Sequence, residues 1–311
     1  MLAQAIRPEE HEVEPGAAPG LVRTEWIACN ACGADSFGHL SRVEQWQIGR
    51  CRNCGLVYVN PTPFFEPTKS FSRLSLAFQY TRFQHVIRPE TLEHERAQMR
   101  AQFEKLNELA GGARSGGRML DVGCGSGTSV RAAAEVGWDA IGIDIDPELV
   151  ELGRRELEVD LRSCSIMDLE ERESSFDFVR MRDVIEHLPN PHTALLRIRE
   201  LLRPGGMLLV ATPNEGSLAA QLRLLLGGRR DRIATVPPPH HLHGFSPPTL
   251  RRLLDRAGFR AREICTTTPV DPRYVTARNM GAAGEKIRSS FWHAAQGLGR
   301  GSMLVGWTQK A

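Results

Sequence analysis

Cys29 and Cys32, then Cys51 and Cys54, form two Cys-x-x-Cys pairs with 18 residues between them, and each pair is followed at once by a glycine, Gly33 or Gly55. Four thiolates at this spacing can close a tetrahedral zinc site, and a glycine after the second cysteine supplies the positive φ that such a tight turn wants. With no open coordination position the site is structural, and it staples roughly forty residues that are too few to build a core alone. Iron is the alternative metal and a redox dithiol pair the non-metal alternative. Cys124, Cys164 and Cys265 fall on strand-like or glycine-loop segments and read as small packing residues.

A second group lies mid-chain. Asp121-Val122-Gly123-Cys124-Gly125-Ser126-Gly127 sets three glycines at alternate positions between a strand-like run and a helix-like one. Glycine bends sharply and admits a ligand where a Cβ would block it. At the carboxyl edge of an open parallel sheet, such a bend is a nucleotide site. Further on, Ala140-Ile141-Gly142-Ile143 ends in Asp144, placed to hold both hydroxyls of a ribose, with Ile145 beside it. A nicotinamide site would show the same glycines and acid. Asp121 favours another ligand: a carboxylate there repels a pyrophosphate but suits, directly or through water, the ammonium of a methionine moiety. The tight Gly-x-Gly-x-Gly form also has no need to seat two phosphates on a helix N-terminus. These residues point to S-adenosylmethionine, with Asp121, Gly123, Gly125, Gly127, Asp144 and Ile145 as contacts.

The elements that must position these groups are legible as rhythm. From residue 118 the chain alternates strand and helix patterns, the sign of a mainly parallel α/β sheet. Strands are expected at 118–122, 140–144, 161–164, 176–181, 207–212, 260–266 and 303–309. Helices are expected at 128–136, 147–157, 191–202, 217–226 and 247–257. Ahead of them Leu92, Arg96, Met99, Phe103, Leu106 and Ala110, mostly apolar, recur at helical spacing after Pro89. Asn60-Pro61-Thr62-Pro63 reads as a linker, because proline interrupts a ladder. The division is a disordered tail at 1–20, a ribbon at 21–60, a linker and helical lid at 61–116, and the α/β domain at 117–311 with a 267–301 insertion that could serve as a second lid.

Bulk properties narrow the classes. The 311-residue chain is 41% hydrophobic, enough for a proper core, and its net charge of +2 argues against a nucleic-acid partner. No run approaches the roughly 20 apolar residues of a membrane-spanning helix. The first residues are rich in Pro, Glu and Gly without an apolar stretch, so they do not read as a signal peptide, and the expected location is cytoplasmic. A homodimer is left open.

Together these motifs resemble the class I S-adenosylmethionine-dependent methyltransferases. Leu120 to Gly127 resembles their first motif and Asp144 their ribose acid. Ser174-Ser175-Phe176-Asp177-Phe178-Val179 resembles their lead into strand four, and Leu201-Leu202-Arg203-Pro204-Gly205-Gly206 their turn into strand five. The resemblance implies a Rossmann-like, doubly wound, seven-stranded and mostly parallel sheet. It implies that Asp168 sits near the adenine amino group with Ile166 or Met167 lining the ring, and that Arg182 and Asp183 sit near the methionine part. The Cys51 to Pro61 run resembles zinc ribbons at the front of several bacterial methyltransferases.

Two histidine-bearing loops follow the relevant strands. Asp183-Val184-Ile185-Glu186-His187 resembles the matching loop of quinone-biosynthesis O-methyltransferases, some of which are associated with a divalent cation. Asp183, Glu186 and His187 are then cation ligands; the favoured reading is that Glu186 and His187 pack and orient the loop. His240-His241-Leu242-His243-Gly244-Phe245-Ser246 lies beyond strand five, where it can cover an acceptor. His241 is the first candidate for general base, His243 the second and His187 the third; the alternative is structural hydrogen bonding. Tyr80, Phe83, His85, Tyr274, Phe291, Trp292 and His293 are candidates to line the acceptor pocket. The expected activity is methyl transfer to a small-molecule oxygen, nitrogen or carbon. The competing reading is an RNA or protein methyltransferase that grips its polymer with the ribbon, and a nicotinamide reductase and a non-catalytic cofactor sensor stand behind it.

Overall fold

A computed structural model describes residues 21–65, 89–111, 116–226, 236, 238–267 and 294–311. The tail at 1–20, the pocket-lining candidates at 80–85 and 274–293, and residues 66–88, 112–115 and 268–293 of the two lid segments lie outside the described residues.

The N-terminal unit holds β1 (Leu21–Glu25), β2 (Phe37–Val43), β3 (Trp46–Cys51), β4 (Val57–Val59) and β5 (Thr62–Phe65). β5 departs from the sequence reading, which made this stretch a linker. It pairs antiparallel with β1 in a two-stranded sheet, Pro63 opposite Thr24. Each strand there has only one ladder neighbour, and such an edge tolerates a residue with no N–H.

The α/β unit opens with α1 (Pro89–Ala110), then β6 (Arg118–Val122), α2 (Thr128–Glu135), β7 (Asp139–Asp144), α3 (Pro147–Leu157) and β8 (Asp160–Ser163). It continues with β9 (Phe176–Arg182), α4 (Pro191–Leu201), β10 (Leu202–Pro213), α5 (Leu218–Leu226), β11 (His243–Gly244), α6 (Pro247–Arg256), β12 (Phe259–Thr267) and β13 (Met303–Lys310). The seven-stranded sheet runs β12-β13-β10-β9-β6-β7-β8, with β13 antiparallel to both its neighbours and the β10-β9-β6-β7-β8 ladders parallel. Strand order reverses between β6 and β9, so ligands belong above the carboxyl ends of these two strands.

Alternation on the strands builds two cores. Met119, Phe178, Met207 and Leu209 face Met99, Phe103 and Leu106 of α1. Leu120, Val179, Leu208 and Val210 face α4 and α6. That second core is continuous with Cys29, Ala31, Cys51, Leu56 and Tyr58 of the N-terminal unit. Helix 89–110, part of the 61–116 segment expected as linker and lid, is laid against the sheet. Helix starts follow capping chemistry: Asp146 accepts from the Glu148 and Leu149 N–H groups, and Ser246 with Thr249 forms a capping box.

Candidate active site

β6 ends at Val122, and the glycines that follow are all left-handed: φ is 72° at Gly123, 56° at Gly125 and 80° at Gly127. The bend is pinned to the neighbouring strand, since the Gly123 and Cys124 N–H groups both donate to the Ile143 carbonyl, at 2.8 and 3.0 Å. A Cβ at Gly123 would overlap Val184, whereas one at Gly125 would meet nothing within 4 Å. The open side of the loop is therefore at Gly125. There the Gly125 N–H donates to Asp144 Oδ2 at 2.8 Å, and the Asp146 N–H donates to Oδ1 at 3.0 Å. Burial pushes the Asp144 carboxyl above its usual range, and these two donors oppose the rise. The cradle has a further part that the sequence reading passed over. A Cβ at Gly153, inside α3, would overlap the Ser126 carbonyl. A glycine within a helical pattern is the signal that marks such a close approach.

Asp121 is more deeply committed than expected. Its two oxygens lie 3.0 and 2.8 Å from Nη1 of Arg180, and Ser129 Oγ donates to the same carboxylate. Asp121 and Arg180 are register partners on β6 and β9, and both are buried. Of the two routes to a ligand ammonium, the direct one finds both oxygens already engaged. Arg180 carried no sequence signal as a site residue, because it sits in an apolar strand pattern.

At the end of β8, Ile166 turns into the core and Met167 outward, and the Ser165 hydroxyl donates to Asp168 at 2.6 Å. At the end of β9, Asp183 has φ 54°, a left-handed backbone uncommon outside glycine, with its N–H bonded to the Ala211 carbonyl at 2.8 Å. Arg182 Nη1 donates to Gln98 Oε1 at 3.2 Å, and Gln98 Nε2 is 2.7 Å from His94 Nε2. α1 thereby adds two polar side chains, Gln98 and His94, that no motif announced.

The two histidine loops meet. One ligand atom each from Glu186, His187 and His241 lies within 4.8 Å of the others, and the two histidine rings meet edge to face at 4.7 Å. Asp183 stands outside this group. His187 Nδ1 lies 2.6 Å from the His240 carbonyl, which can only accept; the proton is on Nδ1, and Nε2 faces Glu186 Oε1 at 4.0 Å. Burial pushes the Glu186 carboxyl up to about 8, with Asp183 adding to the rise, and pushes His187 down to about 4, with His241 adding to the fall. Thr212 Oγ1 donates to Glu186 Oε2 at 2.8 Å.

His243 does not join this group. It is 1% exposed and lies near parallel to Tyr58 and Phe245, at 6.4 and 5.9 Å between centroids. Burial pushes it down to about 3, so it stays neutral.

The four cysteines also converge, with all four sulfurs within 4.8 Å of one another, Cys29 and Cys54 at 3.5 Å and Cys32 and Cys51 at 3.6 Å. A tetrahedron with zinc–sulfur bonds of about 2.3 Å has edges of about 3.8 Å, so the donor set fits zinc. Gly33 and Gly55 have φ of 75° and 87°, and each N–H closes its turn onto the carbonyl of the pair's first cysteine, at 2.7 and 2.9 Å.

A parallel sheet reversing between β6 and β9, with a glycine bend after β6 and a carboxylate at the end of β7, is the architecture of a Rossmann-like α/β domain. The chain matches the family described as "Methyltransferase domain" over residues 90–264, and it belongs to that family: it is an S-adenosylmethionine-dependent methyltransferase. A ubiquinone biosynthesis O-methyltransferase of Xanthomonas euvesicatoria pv. vesicatoria is 31% identical over 186 residues, 58% of this chain and 72% of the relative. The corresponding protein of Xanthomonas axonopodis pv. citri is 32% identical over 156 residues, 48% of this chain and 65% of the relative. The match thus spans about two thirds of these relatives' length. An S-adenosylmethionine-dependent methyltransferase structure from Archaeoglobus fulgidus shares the fold, with a TM-score of 0.50 and 19% identity, covering 74% of this chain and 99% of that one. Among the described residues no helix is long and apolar enough to cross a membrane.

Proposed function

We propose that this enzyme methylates a hydroxyl oxygen of a small-molecule acceptor, with His241 as general base. The observation that carries the reading is the meeting of Glu186, His187 and His241 from two loops beyond the β9 and β10 ends. The similarity to O-methyltransferases of ubiquinone biosynthesis supports oxygen as the methylated atom.

The donor, when bound, supplies a methyl carbon on a positively charged sulfur, open to in-line displacement. Asp144 and the glycine bend hold its nucleoside end, Arg182 and Asp183 border its methionine end, and Met167 and Asp168 border the adenine. His241 takes the proton of the acceptor hydroxyl; the oxygen–carbon bond forms as the sulfur–carbon bond breaks, and a neutral thioether leaves. Alignment and exclusion of water supply most of the acceleration.

The same cluster favours a second reading. Glu186, His187 and His241 would together hold a divalent cation, whose chemistry would be to polarise the acceptor oxygen. The proton on His187 Nδ1 leaves Nε2 in the state a ligand needs. The Cys29, Cys32, Cys51 and Cys54 cluster is assigned to structural zinc on the sulfur spacing.

The test is release of S-adenosylhomocysteine with a panel of catechols and phenols, with the product's methyl position read by mass spectrometry. Methylated nitrogen, or turnover only with RNA or protein, would overturn the reading. His241→Ala is expected to lower turnover by about 10²–10⁴-fold, the range for a lost general base, with S-adenosylhomocysteine affinity unchanged. Turnover that is abolished by a chelator and restored by added divalent metal would select the cation reading instead.

A further inference from the structure

The four-stranded sheet of the N-terminal unit is not made by that unit alone. Its order is β11-β4-β3-β2, and β11 is His243–Gly244 of the acceptor-side loop. His243 lies opposite Tyr58 and Gly244 opposite Val57. The Val59 N–H donates to the Leu242 carbonyl at 2.9 Å. The β4 edge of the ribbon is thus filled by the enzyme's own loop.

The first cysteine turn reaches the same loop. Asn30, between Cys29 and Cys32, is 5% exposed. Its Nδ2 lies 3.4 Å from His243 Nε2, and its carbonyl accepts from Arg256 Nη1 of α6 at 2.8 Å. On the loop's other side, the Leu242 and His243 N–H groups both donate to the Glu186 carbonyl, at 2.7 and 3.1 Å. A continuous line of contacts therefore runs from the cysteine turn through Asn30 and His243 to the backbone of Glu186, whose side chain meets His187 and His241. The donor-side contacts, Gly125 with Asp144 and Gly123 with Ile143, lie off this line.

We propose that Asn30 is a positioning residue for methyl transfer: through His243 it ties the loop carrying His241 to the metal-closed cysteine turn, so that an emptied ribbon loosens the acceptor side and spares the donor side. The cysteines are then an internal strut of the active site, with a role beyond stapling their own strands. This rests on the acceptor-side reading above, and its test is independent of which acceptor is used.

The experiment is hydrogen–deuterium exchange of the full zinc-loaded chain, before and after zinc is extracted with a mercurial, and of Asn30→Ala with its zinc content measured. Extraction is expected to speed exchange at least tenfold in peptides holding the Leu242 and His243 amides, while peptides covering 118–122 and 139–146 keep their protection. Asn30→Ala is expected to do the same with zinc retained, and to leave S-adenosylhomocysteine affinity within twofold by calorimetry. Loop protection that survives zinc loss, or protection lost equally across the large sheet, overturns the proposal. If Asn30→Ala does not fold, the extraction experiment on the native chain decides. Failure of the wild-type chain to methylate any hydroxyl would instead sink the functional reading and leave the exchange result standing.

Discussion

Asp144→Ala is expected to weaken S-adenosylhomocysteine binding about a hundredfold or more. Two hydrogen bonds from ribose hydroxyls to a charged acceptor are worth about 1.5–3 kcal/mol each, and each 1.4 kcal/mol is tenfold in affinity. The loss has a second component. Asp144 also accepts from the Gly125 and Asp146 N–H groups, so its removal frees the tip of the glycine bend and the start of α3. Asp144→Asn keeps an acceptor oxygen in place but loses the charge, and its effect is expected to fall between wild type and alanine. Isothermal calorimetry with S-adenosylhomocysteine reads both variants, with a thermal melt to confirm folding. Wild-type affinity in Asp144→Ala would remove this carboxylate from the cofactor site.

The glycine bend and the acid at the end of β7 are legible in the sequence because they are local. A glycine bend and an acid at the end of the next strand are each fixed by a few neighbouring residues, and strand and helix periodicity told where they lie. β6 and α3 fall on their expected bounds, and the other expected strands and helices agree to within a few residues. β10 began earlier than expected, at Leu202, because the Arg203-Pro204-Gly205-Gly206 turn is an irregularity inside the strand, with the register shifting between Leu202 and Met207. The acceptor side was legible only as a set of candidates. Nothing local distinguishes His241 from His243, two residues apart. What separates them is tertiary: His243 is drawn between Tyr58 and Phe245 by pairing with β4, and the neighbouring turn leaves His241 beside His187. The ribbon's contribution to that loop was hidden for the same reason, since Asn30 and His243 are 213 residues apart. Gln98 and His94 were hidden by their helix, where apolar spacing marks the buried face and says nothing of which polar residues reach a strand end.

The largest stability effect is expected at Arg180. Arg180→Met leaves Asp121 buried with its main countercharge removed, and breaking a buried pair on one side costs about 3–5 kcal/mol. Urea denaturation should show this as a fall in midpoint with little change in slope. Asp121→Asn added to Arg180→Met removes the orphaned charge while keeping a group to receive the Ser129 hydroxyl, and most of the lost stability is expected to return. The two residues are adjacent across the β6–β9 ladder, so the double-mutant cycle should show strong non-additivity; additive effects would mean the pair is not a unit in the folded chain. The restored double variant also separates two roles that the wild type combines. Asp121 lies directly before the glycine bend, and the sequence assigns it to the ligand's ammonium, while the structure gives its oxygens to Arg180 and Ser129. If the buried pair presents a carboxylate's field to the methionine end, the double variant folds well yet binds S-adenosylhomocysteine poorly. A stable double variant with wild-type affinity would assign Asp121 to the fold alone and leave the ammonium to the end of β9.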